Sequence, residues 1–156
     1  MTLSPWQIAA ESFVGGGGGR LGAYRQNFAA FATDLIRWPP GESLTPYQAE
    51  ILEELPAVGR LAVRSLHGSG KSATAALAVL AFACTRDGDD WKAITTASAW
   101  HQLTAYLWPE IHKWARRLRF DKLNRQPFDP RKELLRRHLR LWTGEAVAAS
   151  PTDPVT

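Results

Sequence analysis

The sequence is poor in sulfur. Its 156 residues include one cysteine, Cys84, and one methionine, so an internal disulfide is excluded and so is a cysteine-rich zinc site. His101, His112 and His138 lack metal-ligand spacing, and no metal chemistry is assigned to them. The opening stretch MTLSPWQIAAESF has no basic region followed by an apolar one, so no secretory signal is read there. With so little cysteine, a reducing cytoplasm is the expected compartment. No apolar run reaches the roughly 18 residues that a spanning helix needs, so no membrane partner is expected. Composition is not extreme either. With 45% apolar and 22% charged residues, the chain is neither wholly disordered nor fibrous. The length fits one domain, or one domain and an arm.

What is present is unevenly spread. The net charge is +4, yet residues 113–140 contain eleven Lys/Arg and only Asp121, Asp129 and Glu133 as acids. Such a stretch attracts polyanions, double-stranded DNA among them, although solvated helix faces are the commoner reason for a charge run. No series of aromatics accompanies it as a single-strand stacking platform.

Residues 1–43 read as an arm. Gly15 to Gly19 form a joint that holds neither helix nor strand. Tyr24, Phe28, Phe31 and Leu35 then share a face of a helix over Tyr24 to Trp38, which Pro39-Pro40-Gly41 breaks. Residues 44–149 read as the domain and 150–156 as a loose tail. A helix is expected from Thr45 to Leu55, with Thr45 as N-cap, Pro46 in the first turn and Gln48 closing a capping box. Pro56 and Gly59 should end it. Leu61 to Leu66 reads as a buried strand. Lys71 to Thr85, almost all Ala, Leu, Val and Phe, reads as a helix buried on most sides, with Cys84 a core thiol. After a polar loop, Trp91 to Ala97 reads as a strand. Ser98 can cap a helix running to Arg119, with Leu103, Leu107, Ile111, Trp114 and Leu118 on one face and Pro109 kinking or dividing it. Residues 121–130 are loop-like and Leu139 to Thr143 reads as a third strand. The alternation of strands and helices predicts an α/β fold with a parallel sheet.

The chemistry is concentrated in Arg64-Ser65-Leu66-His67-Gly68-Ser69-Gly70-Lys71-Ser72. It ends as a phosphate-binding loop does. Glycines let successive N–H groups turn inward around an anion, and the following helix presents its positive end to the same place. Lys71 would reach the β- and γ-phosphates and the Ser72 hydroxyl would bind Mg²⁺. Gly68, Ser69 and Gly70 supply the cradle, with His67 as a spacer. The standard spacing asks for glycine where Ser65 stands.

This loop resembles the variant phosphate loop of phage terminase large subunits, the DNA-packaging motors. Leu44-Thr45-Pro46-Tyr47-Gln48 is similar to their adenine-contacting segment. Ile94-Thr95-Thr96-Ala97, Gln102 and Leu107-Trp108-Pro109-Glu110-Ile111 are similar to their second strand and next helix. Leu141 to Pro154 resembles the approach to their acidic motif.

The resemblance implies an incomplete P-loop NTPase-like parallel sheet flanked by helices, binding ATP and Mg²⁺. It implies that Gln48 contacts adenine with Tyr47 beside it, and that Arg64 contacts phosphate. The helix capping box remains an equal reading for Gln48, and a surface ion pair for Arg64. Implied partners are double-stranded DNA, a portal, a small terminase subunit and further copies of the motor, in the bacterial host cytoplasm. An apolar strand ending in Asp-Glu, which would hold Mg²⁺ and orient the attacking water, is missing. The chain thus reads as the front part of such a subunit, with weak hydrolysis or none. A DNA- or partner-binding module using residues 113–140, and a helicase-type ATPase fragment, are the alternatives.

Overall fold

The computed structural model describes residues 21–66 and 68–150. The poly-glycine joint, His67 and residues 151–156 lie outside the described residues. The fold is α/β: a four-stranded mixed sheet with helices packed on it.

A 3₁₀ turn, Gly22–Gln26, leads to α1, Phe28–Leu35. The expected single helix is broken at Asn27, whose extended backbone lets its side chain accept the Ala30 N–H at 2.9 Å and cap α1. α1 lies within the segment assigned to the arm, yet Phe31, Ala32 and Ile36 are fully buried. Removing a phenylalanine of that kind from water contributes about 1.5–3 kcal/mol. The chain then pairs with the far end of the domain. Arg37 N–H donates to Arg117 C=O at 2.7 Å and Arg119 N–H to Leu35 C=O at 2.8 Å, around the facing pair Ile36 and Leu118.

α2 spans Pro46–Val58 and begins as its sequence dictates, with a complete capping box between Thr45 and Gln48. It runs through Pro56, which forfeits only one late hydrogen bond, and stops at Gly59 in the left-handed conformation (φ 73°).

α3, Lys71–Arg86, is the central helix. Along it only Lys71 and Ala75 are exposed. Cys84 is a core thiol, and burial pushes its pKa up to about 12.

β1 is Trp91–Thr96. The next helix starts after Ala99 with no side-chain cap, so Ser98 does not fill that role. Its first α-turn, Trp100–Gln102, passes into a π-turn, Leu103–Leu107, and then into α4, Trp108–Arg116. The wider turn takes up the division expected at Pro109, whose missing N–H falls in a fresh first turn. Leu103, Ile111, Trp114 and Leu118 point into the core as the spacing predicts. A short α5, Phe120–Leu123, occupies part of the expected loop.

The sheet departs from expectation in three ways. First, Leu61–Leu66 forms no strand. The segment joins no strand among the described residues, and Val63 and Leu66 are exposed. Second, the expected third strand divides. β3 is His138–Arg140, the chain turns over residues 141–143, and β4 is Gly144–Ala149, with β2, Leu134–Leu135, before them. Third, only β1 and β4 run parallel, with Trp91 opposite Gly144 and Ile94 opposite Val147. β4, β3 and β2 are antiparallel, so the strand order is β1-β4-β3-β2 and the sheet is mixed. Short links of two and three residues allow hairpins, whereas a parallel neighbour needs a long crossover.

One face of the sheet meets the helices. Trp108 Nε1 donates to Thr95 Oγ1, which donates to the Val147 carbonyl, both at 3.0 Å, and this buried chain ties α4 to β1 and β4. On the opposite side of β1, Lys92, Ile94 and Thr96 are exposed.

Candidate functional site

The glycine-rich loop sits where α3 begins, and its shape follows from two residues. Gly68 (φ 77°) and Gly70 (φ 78°) both take the left-handed conformation that other L-residues adopt at a cost of about 1–2 kcal/mol. Gly70 is also the N-cap of α3, and a Cβ built on it would lie 2.7 Å from Gln48 Nε2. The α2 start and the α3 start therefore touch at a point where a side chain at 70 would have to displace the Gln48 amide.

Gln48 holds this junction. It is 7% exposed. Its Oε1 accepts the Thr45 N–H at 3.1 Å, and its Nε2 donates to the Gly70 carbonyl at 3.4 Å. The same carbonyl accepts Thr74 N–H at 2.9 Å and Thr74 Oγ1–H at 2.8 Å. The capping box is thus formed, and the amide's other end braces the loop. The sequence alone points to no role for Thr74, and marks Ser65 only as a departure from the standard loop. Thr74 is four residues beyond Gly70, the place from which a hydroxyl reaches back along a helix. Ser65 stands where the standard loop has glycine, and its hydroxyl lies 2.7 Å from that of Ser69, which donates to Leu66 C=O at 2.8 Å.

The first α3 amide paired within the described residues is that of Thr74. Among these residues, the N–H groups of Gly68 through Ala73 have no acceptor. Lys71 is exposed and its Nζ rests on the Ser65 carbonyl at 2.8 Å. Ser72 is half-buried and its hydroxyl has no partner among the described residues. Amides without a backbone acceptor among the described residues, the Lys71 ammonium on a neutral carbonyl and the positive end of a 16-residue helix are thus gathered at the start of α3.

The structure brings Gly68, Ser69, Gly70, Lys71, Ser72 and Gln48 together. Tyr47 is 36% exposed in the first turn of α2, and Arg64 is exposed in the unpaired segment before the loop. Neither makes a hydrogen bond or ion pair among the described residues. A cavity of about 400 Å³ opens beside Lys71, walled by Ile51, Leu55, Leu61, Val63 and Ala78.

The chain matches no protein-family model, no curated protein and no solved structure. The geometry carries the functional reading.

Several carboxylates are engaged away from the loop. Asp87 accepts the Thr143 N–H, Asp89 pairs with Arg25, and Glu145 accepts from His138 at 2.6 Å with Lys92 at 3.3 Å. These donors, the His138 hydrogen bond first, hold the Glu145 carboxyl below its ordinary range. No cluster of His, Cys, Asp and Glu fit to hold a metal occurs among the described residues, and no helix among them is long and apolar enough to cross a membrane.

Proposed function

We propose that the loop binds the phosphates of a nucleotide, as the front part of a phage DNA-packaging ATPase would. The observation that carries this reading is the run of amides from Gly68 to Ala73, without a backbone acceptor among the described residues, beside Lys71 at the N-terminus of a buried 16-residue helix. The residues present fit a triphosphate. The amides would receive its oxygens, and Lys71 would leave the Ser65 carbonyl for a charge-assisted bond to phosphate.

They fit Mg²⁺ less completely. Ser72 offers one hydroxyl ligand, and Mg²⁺ takes the remainder of its octahedron from phosphate and water. When bound, the ion would neutralise phosphate charge. No carboxylate among the described residues makes a hydrogen bond or ion pair to the loop, so binding with little turnover is the expected behaviour.

Gln48, with both ends of its amide occupied, serves in this reading to fix the loop. Adenine contact would require it to give up one of those bonds. Tyr47 and Arg64, without a hydrogen bond or ion pair among the described residues, would be available to reach a base or a phosphate from the loop's edge.

The partners follow the same reading: double-stranded DNA, a portal, a small subunit and further copies of the motor, in the host cytoplasm. One feature favours a DNA contact. Of the eleven cations in residues 113–140, only Lys113, Arg125 and Arg140 have an acidic partner among the described residues, so the stretch is not internally neutralised.

The test is titration of a fluorescent ATP analogue, with Mg²⁺, into the wild-type chain and Lys71→Ala. Losing a hydrogen bond between charged groups costs about 1.5–3 kcal/mol, so affinity should fall at least tenfold. Equal affinities would remove the assignment.

A further inference from the structure

A second cavity, of about 470 Å³, lies away from the loop, between the end of α4 and β2. Its wall includes Phe120, Phe128 and Leu134, each of which keeps a small accessible edge of 7–9%. Phe120 and Phe128 pack edge to face with centroids 5.1 Å apart. Three arginines, Arg37, Arg116 and Arg125, also line it, against a single acid, Asp121.

Their charges are unequally compensated. Arg125 pairs with Glu133 and stacks over Phe128 at 4.6 Å. Arg37 is 3.7 Å from Asp121, with both side chains largely in solvent, a contact worth little. Arg116 has no partner among the described residues, and neither do Arg117, Arg119 and Lys122 find an acid there. Arg119 Nε, between two lining residues in sequence, is buried with no acceptor among the described residues.

An occupant must therefore bring both anionic and apolar groups. A duplex backbone supplies charge but nothing to fill an apolar recess. A single small anion would leave the outlying cations unanswered. We propose that this cavity docks an acidic polypeptide segment that places one bulky apolar side chain against Phe120, Phe128 and Leu134 while its carboxylates meet Arg37 and Arg116. The proposal is independent of nucleotide binding at Lys71.

Fluorescence anisotropy tests it on the full chain. The probes are labelled twelve-residue peptides of Glu, Asp and Gly carrying one central Phe, Leu or Trp. Controls replace that residue by Ser, or the acids by Gln and Asn. At least one anchored acidic peptide should bind. Its Ser version should bind about tenfold more weakly or worse, as burial of one large apolar side chain implies. Arg116→Glu, at an exposed position without partners among the described residues, should weaken binding at least tenfold, and Lys71→Ala should leave it unchanged. Absence of binding by every anchored peptide overturns the proposal. So does equal binding of the Ser version, which would make the site a charge surface. A 20-base-pair duplex that binds more tightly than any peptide, with the same sensitivity to Arg116→Glu, would reassign the face to nucleic acid.

Discussion

Gly70→Ala probes the junction on which the loop depends. The residue has φ 78°, and its new Cβ would lie 2.7 Å from Gln48 Nε2. The first cost is the left-handed backbone, about 1–2 kcal/mol for a residue with a Cβ. The second is displacement of the Gln48 side chain, which breaks its bond to Gly70 C=O and disturbs the capping box at Thr45. A cap of this kind contributes about 1 kcal/mol. Together these give about 2–3 kcal/mol of destabilisation. Gln48→Ala alone should cost about 1 kcal/mol through the lost cap. With Gln48 already shortened, the alanine at 70 meets no side chain and only the backbone cost of about 1–2 kcal/mol remains. The two substitutions are therefore non-additive, with a coupling of about 1 kcal/mol of the sign expected when one change relieves the other. Urea melts of the wild type, the two single variants and the double variant measure each corner of the cycle. Strict additivity would show that Gln48 and Gly70 are not in contact in solution, and the account of how α2 braces the loop would be refuted.

Two further predictions concern the sheet. Gly144→Ala places a Cβ 2.3 Å from the Trp91 carbonyl and 2.4 Å from its ring, so β1 and β4 must separate locally. A loss of about 1–3 kcal/mol in a urea melt is expected, and an unchanged midpoint would contradict the observed pairing. Because its donors hold the Glu145 carboxyl below the ordinary range, the folded state binds that proton less readily than the unfolded one. The stability it contributes is present above the ordinary carboxylate pKa of about 4.3 and is lost as pH falls through the lower folded value. The pair is partly solvated, so Glu145→Gln should flatten the acid limb of stability against pH by less than about 1 kcal/mol, and an unchanged limb would refute the assignment.

The elements legible in the sequence are those whose causes are local. Thr45, Pro46 and Gln48 specify the start of α2 because all the partners of a capping box lie within four residues. The 71–86 helix is legible for the same reason, since its formers are contiguous. Leu61–Leu66 has the composition of a strand, but a strand exists only where another backbone lies alongside. Composition carries no information about that neighbour, and Leu61 and Val63 line a cavity instead. The alanine-rich β4 reverses the case. Gly-Glu-Ala-Val-Ala-Ala has weak strand propensity, yet β1 on one side and β3 on the other supply its hydrogen bonds, and Gly144 is needed because Trp91 lies against it. The site divides along the same line. Glycines followed by Lys71 and Ser72 announce an anion cradle by themselves. That Gln48, twenty-two residues earlier, both closes a capping box and braces Gly70 emerges only when α2 and α3 are brought together. A glutamine read as either a cap or a ligand contact is here a cap with a second, tertiary bond, and that bond makes the geometry of the loop depend on the packing of the helix before it.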